Sequence, residues 1–181
     1  LVRSRGLGDV YKRQVLHNVP QLTDVKTMAN VLRVLGAKVK RENTDLVIDT
    51  SSVDYCEAPY ELVKTMRASV LVMGPLLGRG GRARVSRPGG CAIGPRLLDQ
   101  HLKGLANLGV EIYEDHGYLE ARTEGLKGSQ ICLDEASVTA TENVLMAAVK
   151  ARGETTIINA AREPHVSDLA QFLNKMGGRI E

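Results

Sequence analysis

The sequence predicts an α/β protein in which helices and strands share one core, built from a repeated unit of roughly β-α-β-α-β-β. Three observations carry that prediction. An amphipathic helix that ends in a small-residue turn and runs into a strand occurs three times, as "DVKTMANVLRVLGAKVKRE" from Asp24, "DQHLKGLANLGVEIYED" from Asp99 and "DLAQFLNKMGGRIE" from Asp168. The turn glycines Gly36, Gly109 and Gly177 stand 73 and 68 residues apart, and each follows a leucine by four positions, at Leu32, Leu105 and Leu173. The segments between the copies also match in type and order.

Taken along the chain, the leucine four residues before each glycine has the helical spacing of a core-facing position, and the glycine is placed to be the residue just past the helix end. "DLVIDT" (45–50) and "YLEARTE" (118–124) read as strands that follow the post-helix strand after a short turn. "PYELVKTMRASVLVMGPLLG" (59–78) and "SVTATENVLMAAVKAR" (137–152) read as second helices, the latter opening on serine and threonine near its start. "RARVS" and "ETTIINA" then return as strands. The chain holds about two and a half such units. It starts and stops in mid-pattern, which predicts a part of a longer protein.

The first fourteen residues, "LVRSRGLGDVYKRQ", are basic, lack an apolar period and lack the apolar core of a secretory signal. They read either as an ordinary tail or as a sequence-assembly or translation artefact. Residues 15–181 carry the fold argument.

Composition narrows the function classes. No apolar run approaches the ~20 residues of a membrane-spanning helix. A net charge of +3 with only 3% aromatic residues argues against a protein that stacks nucleic-acid bases. The three cysteines, Cys56, Cys91 and Cys132, are odd in number and unpaired in spacing, which fits a reducing cytoplasm better than a disulfide framework. No spacing resembles a zinc site.

The stretch "RVSRPGGCAIGPR" (84–96) carries the strongest chemical signal. Pro88, Gly89 and Gly90 exclude a regular helix or central strand, so Cys91 is expected on a loop or loop-to-helix junction. Arg79, Arg82, Arg84, Arg87 and Arg96 surround it in sequence; nearby cations favour thiolate over thiol, and glycines let backbone N–H groups approach an anion. The alternative is a solvated basic loop with an incidental thiol. Arg67, among Met66, Ala68, Val70 and Val72, is expected partly buried and in want of an anion, either a substrate phosphate or carboxylate or an internal partner such as Glu61. "SVTATEN" (137–143) places hydroxyls and N–H groups at a helix start, which suits an anion or an ordinary cap. His101 and His116 read as surface or helix residues. Cys132, in "SQICLD", reads as buried and inert, and Cys56 has the acidic neighbours Asp54 and Glu57, which disfavour a thiolate.

"APYELVKTMRASVLVMGPLLGR", "VSRPGGCAIGPR" and "TTIINAAREPHVSDLAQFLNKMG" closely resemble the N-terminal part of the UDP-N-acetylglucosamine enolpyruvyl transferases, or 1-carboxyvinyltransferases, of the EPSP synthase superfamily. The resemblance implies an inside-out α/β barrel of β-α-β-α-β-β repeats, with residues 15–181 a partial fold that is mostly one of the family's two domains. It implies transfer of the enolpyruvyl group of phosphoenolpyruvate to the 3-hydroxyl of UDP-N-acetylglucosamine, with release of phosphate, as a cytoplasmic step of peptidoglycan synthesis. It implies no metal, no organic cofactor, no nucleic acid and no membrane partner.

By the same resemblance Cys91 is the proton donor and can form a covalent adduct, which epoxides of the fosfomycin type would exploit. Arg67 contacts substrate anions, Arg96, Leu97, Leu98, Asp99 and Gln100 line the nucleotide pocket, and Ser137 and Val138 match a further nucleotide-contacting stretch. Where such proteins commonly read Arg-Pro-Val-Asp-Leu-His, this chain reads "RLLDQH". Their lysine-asparagine pair should precede Val15, and their general-base aspartate belongs to the C-terminal half, so the 181 residues alone are expected to lack turnover. Two other readings compete. One is a 3-phosphoshikimate-type transferase, against which the cysteine loop argues. The other is a non-catalytic repeat domain that binds polyanions through "GRGGRARVSR".

Overall fold

The computed structural model of the chain describes residues 2–3, 13–58, 60–63, 66–87 and 98–181, and of Val2, Arg3 and Arg67 the backbone alone. In chain order the elements are β1 (Val2–Arg3), β2 (Arg13–Leu16), α1 (Thr23–Val34), β3 (Lys38–Glu42), β4 (Asp45–Asp49), β5 (Glu57–Ala58), α2 (Tyr60–Val63), a 3₁₀ helix (Arg67–Val72), α3 (Met73–Gly80) and β6 (Arg82–Ser86). The chain continues through α4 (Asp99–Asn107), β7 (Glu111–Asp115), β8 (Tyr118–Arg122), β9 (Gln130–Cys132), α5 (Val138–Ala148), β10 (Glu154–Ile158), α6 (Pro164–Lys175) and β11 (Arg179–Ile180).

The repeat is present at the residue level. The offset between Gly36 and Gly109 carries β3 onto β7 and β4 onto β8 without a residue's slip, and the offset from Gly109 to Gly177 carries the end of α4 onto the end of α6. All three glycines follow their helix ends with φ of 99°, 85° and 98°, a left-handed conformation that costs a side chain about 1 kcal/mol or more and glycine little. Both hairpins turn tightly. Asn43 has φ 55°, and His116 and Gly117 have φ 47° and 78°, signs that match the right-handed twist of the strands they join.

Three sheets result, ordered β5-β6-β8-β7, β2-β4-β3 and β11-β1-β10-β9. β5 pairs β6 in parallel across the 3₁₀ helix and α3, and β9 pairs β10 in parallel across α5, because parallel neighbours need a crossover. β1 lies antiparallel between β10 and β11, the place β8 holds between β6 and β7. Two findings fall within the stretch set aside at the N-terminus: β1 itself, and β2, which begins at Arg13 because an antiparallel edge needs paired backbone rather than apolar side chains.

One helix, α5, lies inside. Along α5 seven of eleven residues are buried, including Val144, Leu145, Ala147 and Ala148, and the helix touches α3, α4, α6 and the 3₁₀ helix. A helix buried on nearly every side is a core element rather than a surface one. Glycines let its neighbours close in: a Cβ on Gly104 of α4 would stand 2.4 Å from Val144 Cγ2, and one on Gly74 of α3 would stand 2.3 Å from the Asn143 carbonyl oxygen. An apolar groove of about 430 Å³ runs between α1, α3, α5 and α6, lined by Met28, Leu32, Pro75, Leu76, Met146 and Leu169, with Glu142 and Arg79 as its ionisable lining.

Three expectations need correction. The second helix expected across 59–78 is found, among the described residues, as α2, the 3₁₀ helix and α3; the 3₁₀ helix gives way to α3 at Met73 because Pro75 has no N–H to bond back to Leu71 and is tolerated only in the first turn of a new helix. Cys132 is exposed, not buried: β9 alternates, and Ile131 and Leu133 take the inward positions. His101 is 2% exposed, because it stands one helical turn before Leu105 on the same inward face.

Candidate functional site

The loop with Cys91, Arg96 and Leu97 lies outside the described residues. The structure fixes the elements on either side of it. β6 leads in, with Ala83 and Val85 inward and Arg84 on the opposite face. Arg84 donates to Glu57 Oε2 at 2.8 Å and to Glu120 Oε1 at 2.9 Å, and its guanidinium stacks 4.0 Å from the Tyr118 ring centroid. Arg87 pairs with Glu114 at 2.7 Å, and Arg79 donates to the Thr50 carbonyl at 2.8 Å. Three of the five arginines near Cys91 in sequence are therefore engaged with protein partners, chiefly across the β5-β6-β8-β7 sheet. Cross-strand register, which spacing in sequence does not show, explains the difference.

α4 leads out of the loop. Leu98 is buried at its start, Asp99 is exposed, and Gln100 is only 4% exposed. The Gln100 side chain bridges to the turn before α5: Oε1 accepts from the Asp134 N–H at 2.9 Å, and Nε2 donates to Asp134 Oδ2 at 3.1 Å. Lys103 meets the same carboxylate at 2.5 Å. The Lys103 ammonium first, and then the Gln100 amide, holds the Asp134 carboxyl below its ordinary pKa. The start of α4 is thereby clamped to the start of α5.

Ser137 caps α5, its hydroxyl accepting from the Ala140 N–H at 3.4 Å, and its carbonyl accepts from Thr141 Oγ1 at 2.7 Å. Ser137 and Val138 are both half-buried. Arg67 opens the 3₁₀ helix, whose Val70 carbonyl accepts from Asn143 of α5. The structure thus ties together the segments bearing Arg67, Leu98 to Gln100, and Ser137 with Val138. Sequence reading misses Asp134, and it takes "SVTATEN" (137–143) as a cap or anion site without giving Asn143 its fastening role. For Asn143 a signal was available, a polar side chain at a position of α5 flanked by core residues. No cluster of metal-binding side chains occurs among the described residues, and no described helix is long and apolar enough to cross a membrane.

Residues 11–181 match the EPSP synthase (3-phosphoshikimate 1-carboxyvinyltransferase) family. The chain belongs to the EPSP synthase family. Among curated proteins it is similar to the UDP-N-acetylglucosamine 1-carboxyvinyltransferase of Trichlorobacter lovleyi, with 55% identity over 165 residues that cover 91% of this chain and 39% of the relative. It is 56% identical over 166 residues to UDP-N-acetylglucosamine 1-carboxyvinyltransferase 2 of Carboxydothermus hydrogenoformans, covering 92% of this chain and 40% of that protein. The chain therefore spans about two fifths of the length of these relatives.

Solved structures agree on the fold. The enolpyruvyl transferase NikO from Streptomyces tendae superposes with a TM-score of 0.79 at 22% identity, covering 93% of this chain and 40% of that one. EPSP synthase from Acinetobacter baumannii follows at 0.64 and 18%, covering 86% of this chain and 37% of that one. At these identities the likeness speaks for the EPSP synthase family fold alone.

Proposed function

We propose that this chain supplies the proton-donating loop and part of the sugar-nucleotide site of a cytoplasmic transferase that moves the enolpyruvyl group of phosphoenolpyruvate onto UDP-N-acetylglucosamine, in peptidoglycan synthesis. The observation that carries the reading is 55% and 56% identity, over more than nine-tenths of the chain, to two relatives named for that activity.

In the addition step the 3-hydroxyl oxygen of the sugar bonds to C2 of phosphoenolpyruvate. The Cys91 thiol gives its proton to C3, and the hydroxyl proton passes to a base outside this chain. In the elimination step C3 gives up a proton, the bond from C2 to the phosphate oxygen breaks, and the double bond reforms as phosphate leaves. Arg67 and Arg96 face substrates that carry phosphate and carboxylate charge, which grows costlier to leave uncompensated as water is excluded. Leu97, Leu98, Asp99, Gln100, Ser137 and Val138 line the nucleotide side. Gln100, its side chain committed to Asp134, offers its backbone there. Ser137 and Val138 bring the N-terminal end of α5, where partial positive charge favours a diphosphate.

Phosphate release in a full-length form tests the reading. Cys91→Ser should lower turnover by about 10²–10⁴, the usual contribution of a positioned acid. Cys91→Asp should keep activity and escape epoxides of the fosfomycin type. Unchanged turnover in Cys91→Ser would remove the thiol from the mechanism. Phosphate release with 3-phosphoshikimate in place of the sugar nucleotide would transfer the chain to the other branch of the family.

A further inference from the structure

Asn143 has none of its surface exposed, and the chemistry proposed above gives it no part. The orientation of its amide is fixed by two backbone groups. Oδ1 accepts from the Gly74 N–H at 2.6 Å and Nδ2 donates to the Val70 carbonyl at 3.1 Å, so exchanging N and O would set donor against donor and acceptor against acceptor. The second Nδ2 proton faces His101 Nδ1, 3.1 Å away. That nitrogen must accept, which leaves the ring proton on Nε2, and Nε2 stands 3.0 Å from Thr139 Oγ1. His101 is thereby fixed as the neutral Nε2–H tautomer.

The bonds join segments that the sugar-nucleotide reading needs together. Val70 belongs to the 3₁₀ helix that opens at Arg67, and Gly74 sits in the first turn of α3. His101 sits in the first turn of α4 behind Asp99 and Gln100, and Thr139 sits in the first turn of α5 behind Ser137 and Val138. The approach is too close for a side chain at Gly74, whose Cβ would lie 2.6 Å from Asn143 Oδ1. We propose that Asn143 is a positioning residue that sets these segments relative to one another, with His101 as its relay to Thr139. The proposal rests on the sugar-nucleotide reading, and it matters because a displacement of about 1 Å in a binding constellation is enough to cost about a hundredfold in productive geometry.

The test has two independent readouts on a full-length form. A two-bond ¹⁵N–¹H correlation spectrum should show His101 Nδ1 bare and Nε2 protonated. Asn143→Asp, which exchanges the donor for an acceptor at constant shape, should move a proton to Nδ1. Calorimetric titration with UDP-N-acetylglucosamine should show about tenfold weaker binding, equivalent to about 1.4 kcal/mol, in Thr139→Val, and near-normal binding in Thr139→Ser, which keeps the hydroxyl. The threonine pair carries the test even where Asn143→Asp fails to fold. A protonated Nδ1 in the unaltered chain overturns the relay whatever the ligand does. Equal affinity in Thr139→Val and the unaltered chain overturns the positioning role and leaves the sugar-nucleotide reading standing. Absence of binding by the unaltered full-length form, with the Nε2–H tautomer in place, overturns that reading and the positioning role with it.

Discussion

The second helical segments of the two complete units occupy matching places and are built in opposite ways. In the later unit α5 is one uninterrupted helix capped by Ser137, its sides covered by α3, α4 and α6. In the earlier unit the same stretch is split into α2, a 3₁₀ helix and α3, and it carries Gly74, Pro75, Gly78 and Gly80. The difference teaches a division of labour. α5 is the shared frame, and the earlier unit gives up helical regularity so that backbone at Val70 and Gly74 can meet the frame directly, just after Arg67.

That comparison can be broken most forcefully at the contact itself. Gly74→Ala would push a methyl to within 2.3 Å of the Asn143 carbonyl oxygen, where backbone cannot yield. It should cost about 3 kcal/mol or more, as overpacking against fixed backbone does, seen as a lowered urea midpoint. Gly104→Ala meets Val144 Cγ2 at 2.4 Å, a side-chain atom with a little freedom, and should cost about 1–3 kcal/mol. Gly80→Ala, with nothing within 4 Å, should be neutral or stabilising by up to about 1 kcal/mol through helix propensity. Equal effects at Gly74 and Gly80 would erase the distinction.

The clamp between α4 and the frame gives a smaller effect. Gln100→Ala leaves the Asp134 N–H without its partner and should cost about 1–2 kcal/mol in the same titration. Glu142 sharpens the picture of the groove. Burial first raises its carboxyl pKa above the ordinary value, opposed by His165 at 3.9 Å. The folded chain therefore holds this proton to higher pH than the unfolded chain. Its contribution is most favourable below the ordinary carboxylate value and is lost as pH rises through the folded one. Glu142→Gln should flatten that part of the stability profile. A profile unchanged by the substitution would mean that Glu142 titrates as an exposed acid.

The repeat was legible because its signals are local. Leu105 and Leu173 are buried where helical spacing places them, and the turn glycines adopt the left-handed conformation expected of them. What escaped reading depended on register and tertiary neighbours. The apolarity of its stretch points Cys132 inward, although the parity of Ile131 and Leu133 assigns it outward. His101 alone carries no mark of burial, although its spacing from Leu105 turns it inward. The engagement of Arg84 by Glu57 and Glu120 depends on two strand pairings far apart in sequence, which no local pattern displays. The interruption at Pro75 was visible as a proline, but that the chain would restart a helix around it, rather than end one, was decided by packing against α5.

If the loop between the units carries the chemistry proposed above and the later unit is the frame, relative thiol reactivity is where the difference shows most directly. Cys132 is an exposed thiol on the frame, Cys56 is half-buried, and Cys91 belongs to the arginine-bearing glycine loop. Limited alkylation near neutral pH, followed by peptide mapping, should label Cys91 first despite the exposure of Cys132, because thiolate character outweighs access. Added UDP-N-acetylglucosamine should change the Cys91 rate and leave the Cys132 rate alone. Labelling led by Cys132, with Cys91 indifferent to the sugar nucleotide, would contradict the assignment of the loop thiol to the reaction.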